Sequence, residues 1–131
     1  MMLPRFALLV LALSAIAQAA NATGTITCAD QDDRVALELS IGSLPVLKVV
    51  GGSIAVDDRM ISIGDEGADA FAVGQAFRAD GRLMVDFTDT NVEAVTARLR
   101  LEETGEARDF ATAGTFQLVG TGAYAVTCVG P

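Results

Sequence analysis

Apolar and polar residues alternate with a period of two over much of the chain, the pattern of strands that bury one face. It is clearest at residues 34 to 41, ArgValAlaLeuGluLeuSerIle, where Val35, Leu37, Leu39 and Ile41 take one side and Arg34, Glu38 and Ser40 the other. Ile54 and Val56, Ile61 and Ile63, and Leu83, Val85 and Phe87 repeat it. Paired residues must share a face, so each turn can be tested for register. Gly51-Gly52 as a two-residue turn sets Val49 opposite Ile54 and Leu47 opposite Val56, all inward. The same kind of turn at Asp80-Gly81 would put Phe77 on the side away from Leu83 and Val85. A three-residue loop over residues 79 to 81 is therefore predicted, pairing Phe77 with Leu83 and Val73 with Phe87. It leaves Gln75 facing inward unless Gly74 marks a bulge that re-aims it. A further loop, Gly120-Thr121-Gly122, sets Leu118 opposite Tyr124 and Phe116 opposite Val126.

One segment carries two patterns. Thr90-Asn91-Val92-Glu93 has the form of a capping box, and good helix formers follow it. Yet Val95, Ala97, Leu99 and Leu101 alternate against Thr96, Arg98, Arg100 and Glu102 as in a strand. The expectation is one helical turn at about residues 91 to 95 and then a strand to about Glu103, with a helix over 91 to 103 as the alternative. The chain as a whole reads as all-β, or mostly β with one short helix. About eight or nine short strands would form an antiparallel sandwich or a small barrel.

The first 19 residues, MMLPRFALLVLALSAIAQA, break the alternation: Arg5, an apolar run over residues 6 to 13, and the small-residue end Ala17-Gln18-Ala19. This is the form of a secretory signal peptide, with an uncleaved anchor as the alternative. Cleavage after Ala19 leaves a single β domain over residues 20 to 131. No later stretch approaches the roughly 20 apolar residues of a spanning helix, so no membrane span is expected after removal. The expected location is periplasmic or secreted. In such an oxidising place two cysteines, Cys28 and Cys128, are expected to be bridged. Both fall on inward parities, Cys28 with Ile26 and Cys128 with Tyr124 and Val126, so the bridge would join the first strand to the last. Closing a loop of about 100 residues removes roughly 4 to 5 kcal/mol of unfolded-chain freedom.

Charge and missing residue types narrow the chemistry. Without Arg5, 8 basic residues face 17 acidic ones. That balance disfavours nucleic acid; it reads as keeping a secreted protein soluble, with attraction of a cationic protein partner as the alternative. The absence of histidine removes the usual general base and the commonest zinc ligand. Lys48, the only lysine, lies on an outward parity and reads as a guard against edge pairing, not as an activated amine. Carboxylates alone could supply a two-acid hydrolase, but there is no tryptophan and one tyrosine on which a sugar could stack. No cofactor is expected. Oxygen ligands bunch at residues 30 to 33, 64 to 69 and 86 to 91, and 65 to 69 is the best placed for calcium, although none has EF-hand spacing. Asn21-Ala22-Thr23 matches a glycosylation sequon beside the expected mature terminus and is assigned no role.

The leading reading is an exported, non-enzymatic β domain that binds through loops at one end of its sheet. Its candidate contacts are Asp65, Glu66 and Asp69 in one loop, Asp89 in a second, and Thr121 and Tyr124 in a third. ThrGlyAlaTyr, residues 121 to 124, resembles the Ser-Gly-x-x-Tyr motif of bacterial periplasmic lysozyme inhibitors, which are small, secreted and β-rich. The likeness covers four residues, with Thr121 in place of the serine and Tyr124 one position closer. It implies an acidic inhibitor that inserts this loop into the cleft of a cationic hydrolase such as lysozyme. A carboxylate-dependent hydrolase and a structural envelope protein are the rival readings.

Overall fold

The computed structural model describes residues 24–42, 46–64 and 69–130. The signal-peptide residues, the sequon, and Asp65 and Glu66 lie outside the described residues. Among the described residues nine strands follow one another around a closed barrel, so the sandwich is set aside and the barrel holds. They are β1 (Gly24–Asp30), β2 (Val35–Ile41), β3 (Val49–Val56), β4 (Arg59–Ile63), β5 (Ala70–Ala79), β6 (Arg82–Thr88), β7 (Val95–Glu106), β8 (Asp109–Leu118) and β9 (Gly122–Val129). An odd number of strands cannot close a ring with antiparallel pairs alone. The parallel pair this demands is β4–β5, held through Ser62↔Ala70 and Ile63↔Phe71.

The alternation read from the sequence is the inside–outside alternation of a barrel whose lumen is filled with side chains. Val35, Leu37, Leu39, Ile54, Ile61, Leu83, Val85, Leu99 and the rings of Phe87 and Phe116 are fully or almost fully buried. Cys28 and Cys128 face each other across the β1–β9 ladder with Cα atoms 4.1 Å apart and form the disulfide. This ladder holds only four residue pairs, from Thr27↔Val129 to Asp30↔Val126. The bridge therefore fastens a short seam, as the inward parities of both cysteines implied.

Five expectations are corrected. Gly51-Gly52 is not a turn: β3 runs straight through it, and the hairpin turns instead at Asp57-Asp58, where Val56 pairs with Arg59. What places Val49 and Ile54 on the same face is a bulge at Val50, between the pairs Ser40↔Gly51 and Ile41↔Val49. Gly52 is needed there for its own reason. Its φ is +140°, and a Cβ would lie 2.0 Å from the Glu38 carbonyl oxygen.

Asp80-Gly81 is a two-residue turn after all, with both residues at positive φ (54° and 73°) and Ala79 paired with Arg82. Phe77 lies opposite Met84 and is half exposed. The anticipated bulge at Gly74 is present and turns Gln75 outward, which lets Val73 and Ala76 both pack on the core. At the β8–β9 turn the loop is residues 119 to 121, one position earlier than expected, so Phe116 pairs with Tyr124. Finally, no helix occurs among the described residues: after the turn at residues 89 to 94, β7 is a strand of 12 residues. Lys48 is exposed as expected. β3, which it precedes, is paired on both sides, so Lys48 guards no edge of that strand.

Strand direction sorts the connections into two ends. The turns at residues 31–34, 57–58, 89–94 and 119–121 share one end, called here the upper, with Asp69 just before β5. Ile41 at the end of β2, Val49 at the start of β3, and the turns at 80–81 and 107–108 share the lower end with Gly24 and Gly130.

Candidate functional site

At the upper end the turns tie to one another and to the start of β7 through backbone hydrogen bonds. The Asp57 amide donates to the Arg34 carbonyl at 2.9 Å, and the Val119 amide to the Thr96 carbonyl at 2.9 Å. Asp30 anchors the first turn. Its carboxylate is almost wholly buried, accepts from the Val35 amide at 3.0 Å, and lies 3.5 Å from Nε of Arg34. The Val35 amide, aided by the amide and guanidinium of Arg34, holds the Asp30 carboxyl below the usual carboxylate range, while burial opposes them. The same guanidinium sits 5.1 Å from the centre of the Tyr124 ring, a cation–π contact. Beneath it Tyr124 stacks on Phe116 at 6.4 Å, with 25° between the rings. Asp30, Arg34 and Tyr124 thus form a plug over the core at this end.

Around the plug lies a rim of carboxylates. Asp32, Asp33, Asp57, Asp58, Asp69, Asp89 and Glu93 are set in or beside the upper turns, and with Asp30 they make eight acids against two arginines, Arg34 and Arg59. Both arginines are already ion-paired, Arg34 with Asp30 and Arg59 with Asp69 at 3.1 Å. An open cavity of about 490 Å³ crosses this end, lined by Asp57, Asp58, Arg59, Asp69, Leu118 and Thr121 among others.

The candidate residues therefore divide. Asp69 and Thr121 share the cavity, the first paired to Arg59 and the second carried by the β8–β9 turn, whose Thr121 amide donates to the Leu118 carbonyl at 3.0 Å. Asp89 organises its own turn: its side chain accepts from the Glu93 amide at 2.7 Å and its carbonyl from the Val92 amide at 3.0 Å. This Asx-type arrangement takes the place of the predicted helical turn. Tyr124 is 7% exposed and points into the barrel, so of the four residues that carry the lysozyme-inhibitor likeness the tyrosine belongs to the plug and Thr121 to the rim. Among the described residues no three acidic, histidine or cysteine side chains converge as cation ligands. The acidic contributions of Asp57, Asp58 and Asp32 to one end were missed in the sequence; grouping them requires knowing which turns share an end, and strand direction alone supplies that.

Family models, curated proteins and solved structures were each compared with this chain, and none matches.

Proposed function

We propose that the protein is an exported binding module, without catalytic activity, that captures a cationic protein partner on the acidic end of its barrel. The observation that carries this reading is the segregation of charge: eight carboxylates meet at the upper end with two arginines, each of which is already paired. At physiological salt the screening length is about 8 Å, so neighbouring turns act together on an approaching cation. Such a field raises association rates and selects for charge. The cavity between Asp57, Asp58 and Thr121 offers a place for one basic side chain of the partner to enter. The disulfide is consistent with an oxidising compartment, which is where a signal peptide over residues 1 to 19 would deliver the domain.

The test is binding of the mature, disulfide-bonded protein to a cationic lysozyme and to basic proteins captured from periplasmic extract, at about 50 mM and about 500 mM salt. Stoichiometric retention at low salt, lost at high salt and lost on replacing Asp57 and Asp58 with Asn, is the expected result. Retention of nothing basic at either salt, or retention that ignores the Asp57 and Asp58 changes, overturns the reading. Turnover of a glycan or ester substrate abolished by a single acid substitution would replace it with a hydrolase.

A further inference from the structure

The lower end of the barrel has a different character. β7 and β8 continue past their neighbours: β6 stops at Arg82, opposite Glu102, and β9 reaches β8 last at Cys128, opposite Thr112. The remaining pairs, from Thr104↔Ala111 to Glu106↔Asp109, form a free finger. Its inner face continues the parity of the core and overhangs the barrel mouth. There Glu103, Gly105, Phe110 and Thr112 line a groove of about 580 Å³ whose other wall includes Arg78, Gly81 and Gly130. Phe110 is 84% exposed although it stands on the inward parity of its strand. Its ring lies across Gly105, directly opposite, where a Cβ would come within 2.8 Å of it. An aromatic ring laid over a cross-strand glycine is held in place, not loosely dangling.

We propose that this end is a self-association face, through which two copies of the chain meet finger to finger about a two-fold axis, each Phe110 entering the groove of the other copy. Three features select a second copy as the occupant. The finger tip bears charges of both signs, Glu106, Arg108 and Asp109, and none of them makes an ion pair among the described residues. In a two-fold arrangement Arg108 of one copy meets Glu106 and Asp109 of the other, so the tip complements itself. The rest of this end is close to electrical balance, with Lys48 and Arg82 against Asp80 and Glu102, and Arg78 paired with Glu103 at 3.0 Å. A cationic partner finds no pull there. Two upper ends, by contrast, repel each other, which leaves the lower end as the place where acidic copies can approach. The resulting particle presents two acidic ends at opposite poles and so binds its partners in pairs. This inference does not rest on the identity of those partners.

The experiment is sedimentation equilibrium of the mature, oxidised protein from micromolar concentration up to about 500 µM, a range that reaches weak interfaces of small area. The expected result is a monomer–dimer equilibrium. Phe110→Ser should weaken it by at least about tenfold, as the loss of a buried aromatic anchor does. Because Phe110 also covers Gly105, a second variant that leaves the finger's packing alone is needed: Arg108→Glu makes the tip wholly acidic and should weaken the dimer as well. The Asp57 and Asp58 to Asn changes should leave it intact or tighten it. A monomer throughout the range overturns the proposal, as does a dimer indifferent to both lower-end variants. Binding of an apolar dye or a peptide in the groove of a protein that never dimerises overturns it too, by naming a different occupant.

Discussion

Asp30 and Tyr124 do opposite things with the same neighbour. Arg34 lies against both, as the ion partner of a buried carboxylate and as the cation over a buried ring. Because the folded carboxyl of Asp30 titrates below its unfolded value of about 3.9, the unfolded chain binds more protons just below that pH. The stability Asp30 contributes is thus complete above about pH 4 and is lost as pH falls through the folded value. Asp30→Asn is expected to lower the melting temperature at pH 7 and to flatten its fall below about pH 4, read by thermal unfolding in acid buffers. Tyr124 contributes packing. Tyr124→Ala should cost roughly 3 kcal/mol in denaturant unfolding, in the range for emptying a core aromatic, while Tyr124→Phe keeps the ring and should leave partner capture unchanged. A contact role for the phenol would instead make Tyr124→Phe defective in capture at full stability. The inward parity of Tyr124 was legible in the alternation that also places Phe116, Val126 and Cys128. The Arg34 contact was not, since it joins the turn after β1 to β9, ninety residues further along the chain.

At the scale of strands, the faces were legible and the registers were not. A switch of parity along a chain has two physical causes, a two-residue turn and a bulge, and hydrophobic alternation alone does not tell them apart. Between Val49 and Ile54 the switch is a bulge at Val50, where two glycines invited a turn. Between Val73 and Ala76 it is a bulge at Gly74, and this is what frees Asp80-Gly81 to form its ordinary two-residue turn with Phe77 left outside. The parallel β4–β5 contact is two pairs long and has no hairpin signature at all. Gly52 tests the corrected reading. In a two-residue hairpin turn alanine at this position would be moderately costly, whereas inside β3 its Cβ meets the Glu38 carbonyl and its φ is +140°. Gly52→Ala is expected to destabilise by more than about 2 kcal/mol in urea unfolding, a strained backbone and a main-chain clash together. The neighbouring Gly51, whose Cβ would meet the Ile63 carbonyl oxygen at an ordinary 3.8 Å, should tolerate alanine at well under half that cost, about 1 kcal/mol or less.

In the whole molecule, closure and polarity come from the same ring. Nine strands oblige one parallel contact, and that contact is what lets the acidic turns before and after it fall at one end. The same ring has to be shut where the chain's first and last strands meet, over four residue pairs and one disulfide. The bridge spans a sequence separation of 100, so in the unfolded chain it removes more freedom than any short-range contact could. Replacing both cysteines with serine, or reducing the bridge, is expected to cost about 2 to 5 kcal/mol, the range seen for small secreted domains. The loss should be uneven. Hydrogen exchange is expected to rise first in β1 and β9, whose ladder is short. β7, which pairs with β8 over ten residue pairs, should keep its protection until global unfolding. Since the Asp30–Arg34–Tyr124 plug is built from residues of these two seam strands and the turn after β1, opening the seam also loosens the upper rim. Partner capture by the reduced protein should therefore fall even below its melting temperature. Uniform exchange across all nine strands, with capture intact, would mean that the ladders alone shut the ring.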